Sequence, residues 1–358
     1  MITPQKMTDL VNNKVVDIYT KLNQEITNEV IKKINKENLS EYTKHQIKVI
    51  AKQGGNEIFY KALNKTQGIT RERKKEIKKL FEDLVENQRS GYKSQYDYAG
   101  VDYKLSNDAK QLMDAMITRT DKELKNMTKT IAFETKRTYV NAIDSLYNKV
   151  ASGGFSYDNA IKSVLIDLSN KGVVLQTKTG NYSIESAVRM NLFTALKQTA
   201  DYVSKQIKDD IKANAVWIAP TPYCRPTHRP INGVVMDLKK FERDYEYLTE
   251  EPNCYHIINY VVKEAFIPPL SQTELNRINS RANTVYANRQ KQNYYARQVR
   301  QKKKEVANIG SSSQEILKEK KTQLRNAQIK YRIFSKLVNL NVDYSQTWEA
   351  GYNKQRRH

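Results

Sequence analysis

Proline is concentrated in one part of this chain, and that distribution limits what each part can fold into. Seven of the eight prolines in the 358 residues lie between Pro220 and Pro269. Proline removes a backbone N–H donor and clashes with the preceding helical turn, so long helices are disfavoured there and permitted elsewhere. We therefore expect long helices on both sides of a loop-rich central region.

Apolar residues recur every three or four positions in much of the first 150 residues, which is the period of an amphipathic helix. The pattern predicts one long helix over residues 10–34. Ser40 fits the N-cap of a second helix that ends near residue 51. Gly54–Gly55 then indicates a turn.

The next hundred residues continue the helical pattern with one interruption. Residues 70–86 are predicted to form a charged helix, and residues 87–103, which are rich in tyrosine, glycine and polar residues, a loop. Another long helix is predicted over residues 106–150, with Gly153–Gly154 ending it.

The middle of the chain carries mixed signals that predict a small α+β unit. Residues 157–169 and 184–212 have a helical pattern, and residues 171–183 between them are consistent with a hairpin. Short apolar runs predict three strands, at residues 215–219, 234–236 and 257–262.

After Pro269 the chain is predicted to be helical and strongly basic, with Arg289, Arg297, Arg300 and Lys303 on a solvated face. Tyr286, Tyr294 and Tyr295 are interleaved with the cations, and such a mixture favours contact with phosphates and bases or with an acidic protein face. No base-reading motif is present, so binding without sequence preference is expected. The candidate nucleic-acid-binding residues are the nine cations of this acid-free stretch: Arg277, Arg281, Arg289, Lys291, Arg297, Arg300, Lys302, Lys303 and Lys304.

Ser312 to Glu315 has the pattern of a capping box, which predicts the start of a last helix. Residues 317–338 then repeat apolar positions over about three heptads. Two interpretations are open: a coiled coil with a partner, or packing of this helix on its own domain. The predicted fold class is mainly α, with long amphipathic helices and a small α+β unit. The predicted organisation is an elongated helical region (1–150), a compact α+β unit (151–270) and a basic helical region (271–358).

The formal net charge of +22 indicates an anionic partner, although a lysine-rich proteome would also produce a solvated basic surface. Two cysteines do not make a disulfide framework, and no secretory signal is visible at the N-terminus. No stretch approaches the roughly twenty apolar residues of a spanning helix, so no stable membrane association is predicted.

Both cysteines and two of the four histidines lie in two short motifs, as Cys224, His228, Cys254 and His256. They have the donor atoms for a tetrahedral zinc site with two sulfur and two nitrogen ligands. The alternatives are a buried thiol with hydrogen-bonded imidazoles, or a cysteine–histidine nucleophilic pair. Signatures of nucleotide-binding loops, zinc proteases and serine hydrolases are missing from the sequence, so we expect no enzyme and no cofactor other than zinc.

Several runs, taken in their order and spacing, resemble phage minor capsid proteins, the portal-associated head proteins related to the Mu F-like morphogenesis group. The similarity is strongest from about residue 124 to 270. The runs are Leu124–Thr130, Tyr139–Ala142, Ser152–Ile161, Leu168–Val173, Ser186–Arg189, Leu196–Ala200, Arg225–His228, Asn253–His256 and Phe266–Pro268.

The family signature of an arginine, a proline, a histidine and a following glycine is matched by Arg225, Pro226, His228 and Gly233. These four are the candidate structural motif. The chain departs from the family at Thr221, where a histidine is frequent, and at Cys224, where a small residue is usual.

The resemblance implies a structural, non-enzymatic component of a tailed-phage virion. Such a protein would be present in the host cytoplasm during assembly. In the finished virion it would be bound at or near the portal inside the head. Its partners would be the portal protein, the major capsid protein and the phage genomic DNA, and it would assist head assembly and genome packaging or ejection. The alternatives are a sequence-nonspecific DNA-binding accessory protein outside the capsid and an enzyme such as a nuclease.

Overall fold

The structure is a computed structural model that describes residues 1, 4–11, 14–37, 42–177, 180–221, 224–249, 256–309, 313–342, 344–347, 349 and 352. Helices dominate these residues, which confirms a mainly α fold with a small α+β part. The α-helices, α1 to α10, are Pro4–Val11, Lys14–Lys36, Lys44–Gly68, Thr70–Ala99, Asn107–Ala151, Tyr157–Lys171, Ile184–Asp210, Leu238–Asp244, Gln272–Ile309 and Gln314–Leu337. The strands, β1 to β5, are Val174–Thr177, Gly180–Ser183, Ala215–Ile218, Val235–Asp237 and Ile258–Val261.

The chain divides into two compact units, each assembled from three separate segments, whereas the sequence predicts three consecutive regions. Helices α4, α5, α7 and α9 each contribute residues to both units. Unit 1 comprises Met1–Asn13, Lys75–Asp121 and Met190–Gln290. Unit 2 comprises Lys14–Lys74, Lys122–Arg189 and Lys291–His358.

Unit 1 is built around a three-stranded antiparallel sheet in the order β4-β3-β5. Strand β3 is the central strand, and each of its four residues is buried. A short, fully apolar run is what a strand covered on both faces requires. The core around the sheet includes Val203 and Ile207 from α7, Phe241 from α8 and Tyr260 from β5.

Unit 2 is a helical bundle with one hairpin. Its main core joins apolar residues of α2, α3, α5 and α6 with Ile309 of α9 and Ile316 of α10. Strands β1 and β2 pair antiparallel from Val174 opposite Ser183 to Thr177 opposite Gly180, which matches the predicted hairpin.

Helix α4 corrects the prediction of a loop over residues 87–103, because it continues to Ala99. Its tyrosines are core residues here: Tyr92 and Tyr96 are buried, and the Tyr96 hydroxyl donates to Asp210 Oδ2 at 2.8 Å. Gln95 donates to the Ala265 carbonyl at 2.8 Å and accepts from the Val262 N–H at 2.7 Å. These tertiary bonds outweigh the weak helical propensity of a polar, tyrosine-rich stretch.

The predicted turn at Gly54–Gly55 is also wrong, because α3 runs through both glycines to Gly68. A Cβ at Gly54 would lie 2.3 Å from the Tyr139 hydroxyl oxygen, and one at Gly55 would lie 3.1 Å from Val140 Cγ2. The glycines therefore allow close packing of α3 on α5. Ser40, the predicted N-cap, lies outside the described residues, and Thr43 forms the capping box at the start of α3.

Gly54→Ala is expected to lower the free energy of unfolding by about 1–3 kcal/mol, as for other overpacked sites. The nearest atoms belong to the hydroxyl and ring of Tyr139, which is fully buried. Gly68→Ala is the matched control in the same helix, because no atom lies within 4 Å of a Cβ there. That change is expected to be neutral or slightly stabilising. Urea denaturation checks both, and equal effects of the two substitutions would contradict the packing argument.

Helix α10 settles the choice between a coiled coil and packing within its own domain. Leu324 and Tyr331 are buried against Ala296 and Val299 of α9, within unit 2. The repeating face is therefore covered by the chain itself.

Candidate functional site

The family signature lies in a proline-rich connection between β3 and β4. Pro226 is the first residue of a 3-10 turn, Pro226–Ile231, and the preceding Arg225 occupies the N-cap position with an extended backbone. Proline suits this position because the first N–H of a turn has no internal partner. The His228 N–H donates to the Arg225 carbonyl at 3.0 Å. The turn holds the His228 side chain in the interior, where it is 7% exposed.

Gly233 is required by both conformation and space. Its φ of +81° lies in the region that residues with a side chain rarely adopt. A Cβ there would also lie 2.4 Å from Leu275 Cδ1. The Gly233 N–H donates to the Ile218 carbonyl at 3.1 Å, which joins the connection to the end of β3.

Asn232, next to this glycine, is a structural residue that the sequence does not identify. It is fully buried, accepts from the Thr221 N–H at 2.9 Å, and donates to the Thr221 carbonyl at 3.2 Å and to Asn279 Oδ1 at 2.9 Å. These bonds fix the two ends of the connection to each other and to α9. Its only sequence signal is an asparagine–glycine pair, which is typical of turns in general.

Cys224, His228 and His256 meet in the interior of unit 1. Cys224 Sγ lies 3.6 Å from His256 Nε2, and His228 Nδ1 lies 3.3 Å from His256 Nδ1. The thiol also contacts the Arg225 carbonyl oxygen at 3.3 Å. The structure thus brings together three of the four predicted ligands, while Cys254 lies outside the described residues.

One arrangement of protons satisfies all of these contacts. The carbonyl of Arg225 can only accept, so the Cys224 thiol donates to it. His256 Nε2–H then donates to the sulfur, and His228 Nδ1–H donates to His256 Nδ1. This arrangement needs a neutral His256. Burial, together with the neighbouring His228, Arg225 and Lys197, lowers the pKa of His256 to about 4.

The three side chains do not converge on one point. The Cys224–His256 separation is close to the roughly 3.5 Å that two ligands of a tetrahedral zinc ion span. His228, however, faces the opposite ring nitrogen, and the two nitrogens of an imidazole point away from each other. Within the ranges that the structure describes, no group of three or more His, Cys, Asp or Glu residues is arranged to hold a metal ion. We therefore propose that this is a hydrogen-bonded structural cluster.

Metal analysis of protein purified without chelator is expected to find far less than one zinc per chain. Cys224→Ser is expected to cost about 1 kcal/mol through a weakened buried hydrogen bond. Cys254→Ser serves as the control and should leave the metal content unchanged. One zinc per chain, lost in both variants, would instead establish the four-ligand site.

The basic segment separates into exposed and buried cations. Arg277 and Arg281 are exposed in unit 1, and Lys291 and Arg297 are exposed in unit 2. Arg289, Arg300 and Lys302 are half-buried, and Lys303 and Lys304 are buried. The predicted solvated face is therefore wrong for Lys303, which is buried.

The buried cations are partners of a polar core in unit 2. Lys304 Nζ lies 3.0 Å from Glu185 Oε1, and Lys303 Nζ donates to the Thr347 carbonyl at 2.7 Å. Burial alone would raise the pKa of Glu185, but Lys304 next to it holds that pKa below its usual value. Burial also lowers the pKa of Arg300, to about 10.

Glu305, the first residue after the acid-free stretch, forms ion pairs with two lysines. Lys302 Nζ and Lys320 Nζ both lie 2.9 Å from Glu305 Oε2, and the side chains of Glu305 and Lys320 are 3% and 4% exposed. Lys320 also donates to Asn170 Oδ1 at 2.8 Å. Sequence reasoning missed this pair, although the single acid beside three lysines was a usable signal.

Of the interleaved tyrosines, Tyr295 packs between two helices and Tyr294 is exposed. The rings of Tyr295 and Phe334 lie 5.2 Å apart between centroids, which joins α9 to α10. Tyr294, with half of its surface exposed, remains accessible. The Lys291 ammonium lies 5.4 Å from the Phe334 ring centroid while the residue itself stays exposed.

The fold and these sites define a basic, largely helical protein with a buried cysteine–histidine cluster and a part-buried cationic helix. The family model of phage minor capsid protein 2 matches residues 2–336. The chain therefore belongs to the phage minor capsid protein 2 family. No match was found among curated proteins or among solved structures. Across the described residues, no helix is long and apolar enough to cross a membrane.

Proposed function

We propose that this chain is a structural protein of a tailed-phage virion, bound at or near the portal inside the head, where it assists head assembly and genome packaging or ejection. The observation that carries this proposal is the family match over residues 2–336. A minor capsid protein acts among other virion components, so its partners are proposed to be the portal protein and the major capsid protein.

The charge supports a place near the packaged genome. A net charge of +22 favours the capsid interior, where phosphate is abundant. The DNA contact is proposed at the exposed cations of α9: Arg277, Arg281, Lys291 and Arg297. Lys303 and Lys304 are instead assigned to the stability of unit 2, because both are buried and bonded within it.

The role proposed is non-enzymatic. In the cysteine–histidine cluster, Cys224 is 1% exposed and its thiol contacts a carbonyl and an imidazole inside unit 1. A buried thiol of this kind suits packing better than nucleophilic attack.

Quantitative mass spectrometry of purified, nuclease-treated virions tests the location. We expect the chain at a fixed ratio to the portal protein, protected from added protease in intact heads and cleaved once the heads are opened. A chain that is lost during purification would identify an accessory protein outside the capsid. A chain that is cleaved in intact virions would place it on the outer surface.

A further inference from the structure

Helix α10 has a second apolar line that the described residues of unit 2 leave exposed. Ile329, Ile333 and Leu337 are 37%, 62% and 77% exposed. Their spacing of four residues places them on successive turns of one side of the helix, over about 12 Å. Single exposed apolar side chains are ordinary, but three in a continuous line indicate a contact surface.

The exposed line lies on the side of α10 opposite to the packed one. The buried side is marked by Lys320, Leu324 and Tyr331. At 3.6 residues per turn, the centres of the two lines are roughly 160° apart around the helix axis. The fold of this chain therefore buries one side of α10 and leaves the other side exposed.

The surroundings of the line are basic. Arg325, Arg332 and Lys336 flank it on one side and Lys330 on the other, and all four are exposed. The sequence has no acidic residue between Lys320 and Leu337. An occupant must therefore offer apolar side chains between negative charges.

This charge pattern separates three classes of occupant. A second copy of α10 would bring cations against cations, so self-association is disfavoured. A membrane-bound helix needs a broad apolar face, commonly wider than about 100°. The line on α10 spans only about 80°, which is closer to the narrow seam between two packed helices.

We propose that the α10 line (Ile329, Ile333 and Leu337, with its flanking cations) docks an amphipathic helix of another protein, one whose apolar stripe is bordered by aspartate or glutamate. The apolar side chains provide affinity, and the four cations select an acidic partner and its orientation. The residues of this surface differ from the cations of α9 that are proposed to contact DNA.

The test uses overlapping peptides that tile every protein of the purified virion, probed with the full-length chain carrying a fluorescent label. The comparison variant is Ile329→Gln, Ile333→Gln and Leu337→Gln, which changes exposed positions only. We expect at least one peptide with apolar residues every three or four positions and a net negative charge to bind. The variant should bind that peptide at least tenfold more weakly. A second control, Tyr60→Gln with Phe133→Gln, removes two other exposed rings and should bind as wild type does.

Four results would overturn the proposal. The first two are that no peptide binds, and that every bound peptide binds the triple variant as tightly as the wild type. The third is a dimer at micromolar concentration that the triple substitution abolishes, which would identify a second copy as the occupant. The fourth is that the wild type sediments with vesicles of anionic lipid and the variant does not, which would identify a membrane surface.

Discussion

Glu305→Gln is expected to lower the free energy of unfolding by about 3–5 kcal/mol, the cost of removing one partner from a buried ion pair. The substitution keeps the shape of the side chain and removes its charge. Lys320 would then keep a buried ammonium group, 4% exposed, with Asn170 Oδ1 at 2.8 Å as a neutral acceptor. Urea denaturation followed by circular dichroism measures the effect.

Glu319→Gln is the matched control, because it makes the same chemical change at an exposed position of α10. Its effect is expected to stay within about 0.5 kcal/mol. Adding Lys320→Met to Glu305→Gln should recover part of the lost stability, since an apolar replacement of a buried pair is frequently tolerated. If the Glu305→Gln and Glu319→Gln variants had the same free energy of unfolding, the Glu305–Lys320 pair would not contribute to stability.

Replacing the four exposed cations of α9 by glutamine is expected to reduce both duplex affinity and its salt dependence. Each phosphate contact contributes roughly 0.9 to the slope of log affinity against log salt, so four lost contacts reduce the slope by up to about 3.6. The variant carries Gln at Arg277, Arg281, Lys291 and Arg297, which are all exposed and leave the buried ion pairs intact. Salt titrations on two unrelated duplexes should give the same loss for both sequences.

The control for this experiment must lose the same net charge elsewhere. Helix α4 offers four exposed lysines, Lys74, Lys75, Lys78 and Lys79, and their replacement by glutamine removes four positive charges as well. We expect this control to keep most of the salt slope. An equal loss in both variants would mean that the overall charge, and not α9, attracts DNA, and salt-insensitive binding would remove α9 from consideration.

Local sequence patterns predicted the helices and strands well wherever the conformation depends on neighbouring residues in the chain. The ends of α5, the β1–β2 hairpin and the strands β3 to β5 were all predicted within a few residues. Gly54 shows where this reasoning fails. A glycine pair has the same local meaning in a turn and at a close helix contact, and only the ring of Tyr139 across the interface decides between the two.

In the candidate sites too, the sequence predicted which residues matter but not the tertiary contacts that determine their roles. The sequence placed Cys224, His228 and His256 together because of their rarity, but the choice of ring nitrogens that determines their chemistry depends on tertiary geometry. In the basic segment, exposure alternates along one helix. Arg297 is exposed and Lys304 is buried, although both belong to the same run of cations. Lys304 is paired with Glu185, and the sequence does not reveal this pair because the two residues lie far apart in the chain.

The interleaving of the two units has a consequence for synthesis on the ribosome. Helices α2 and α3 belong to unit 2 and are made early, yet their core also includes Ile309 and Ile316, which emerge some 250 residues later. Unit 1 is complete only after residue 290. Proteins with consecutive domains fold each one as it emerges. Here the core around α2 and α3 lacks two of its members until residue 316 has been made, so neither unit can complete its folding before most of this sequence has emerged.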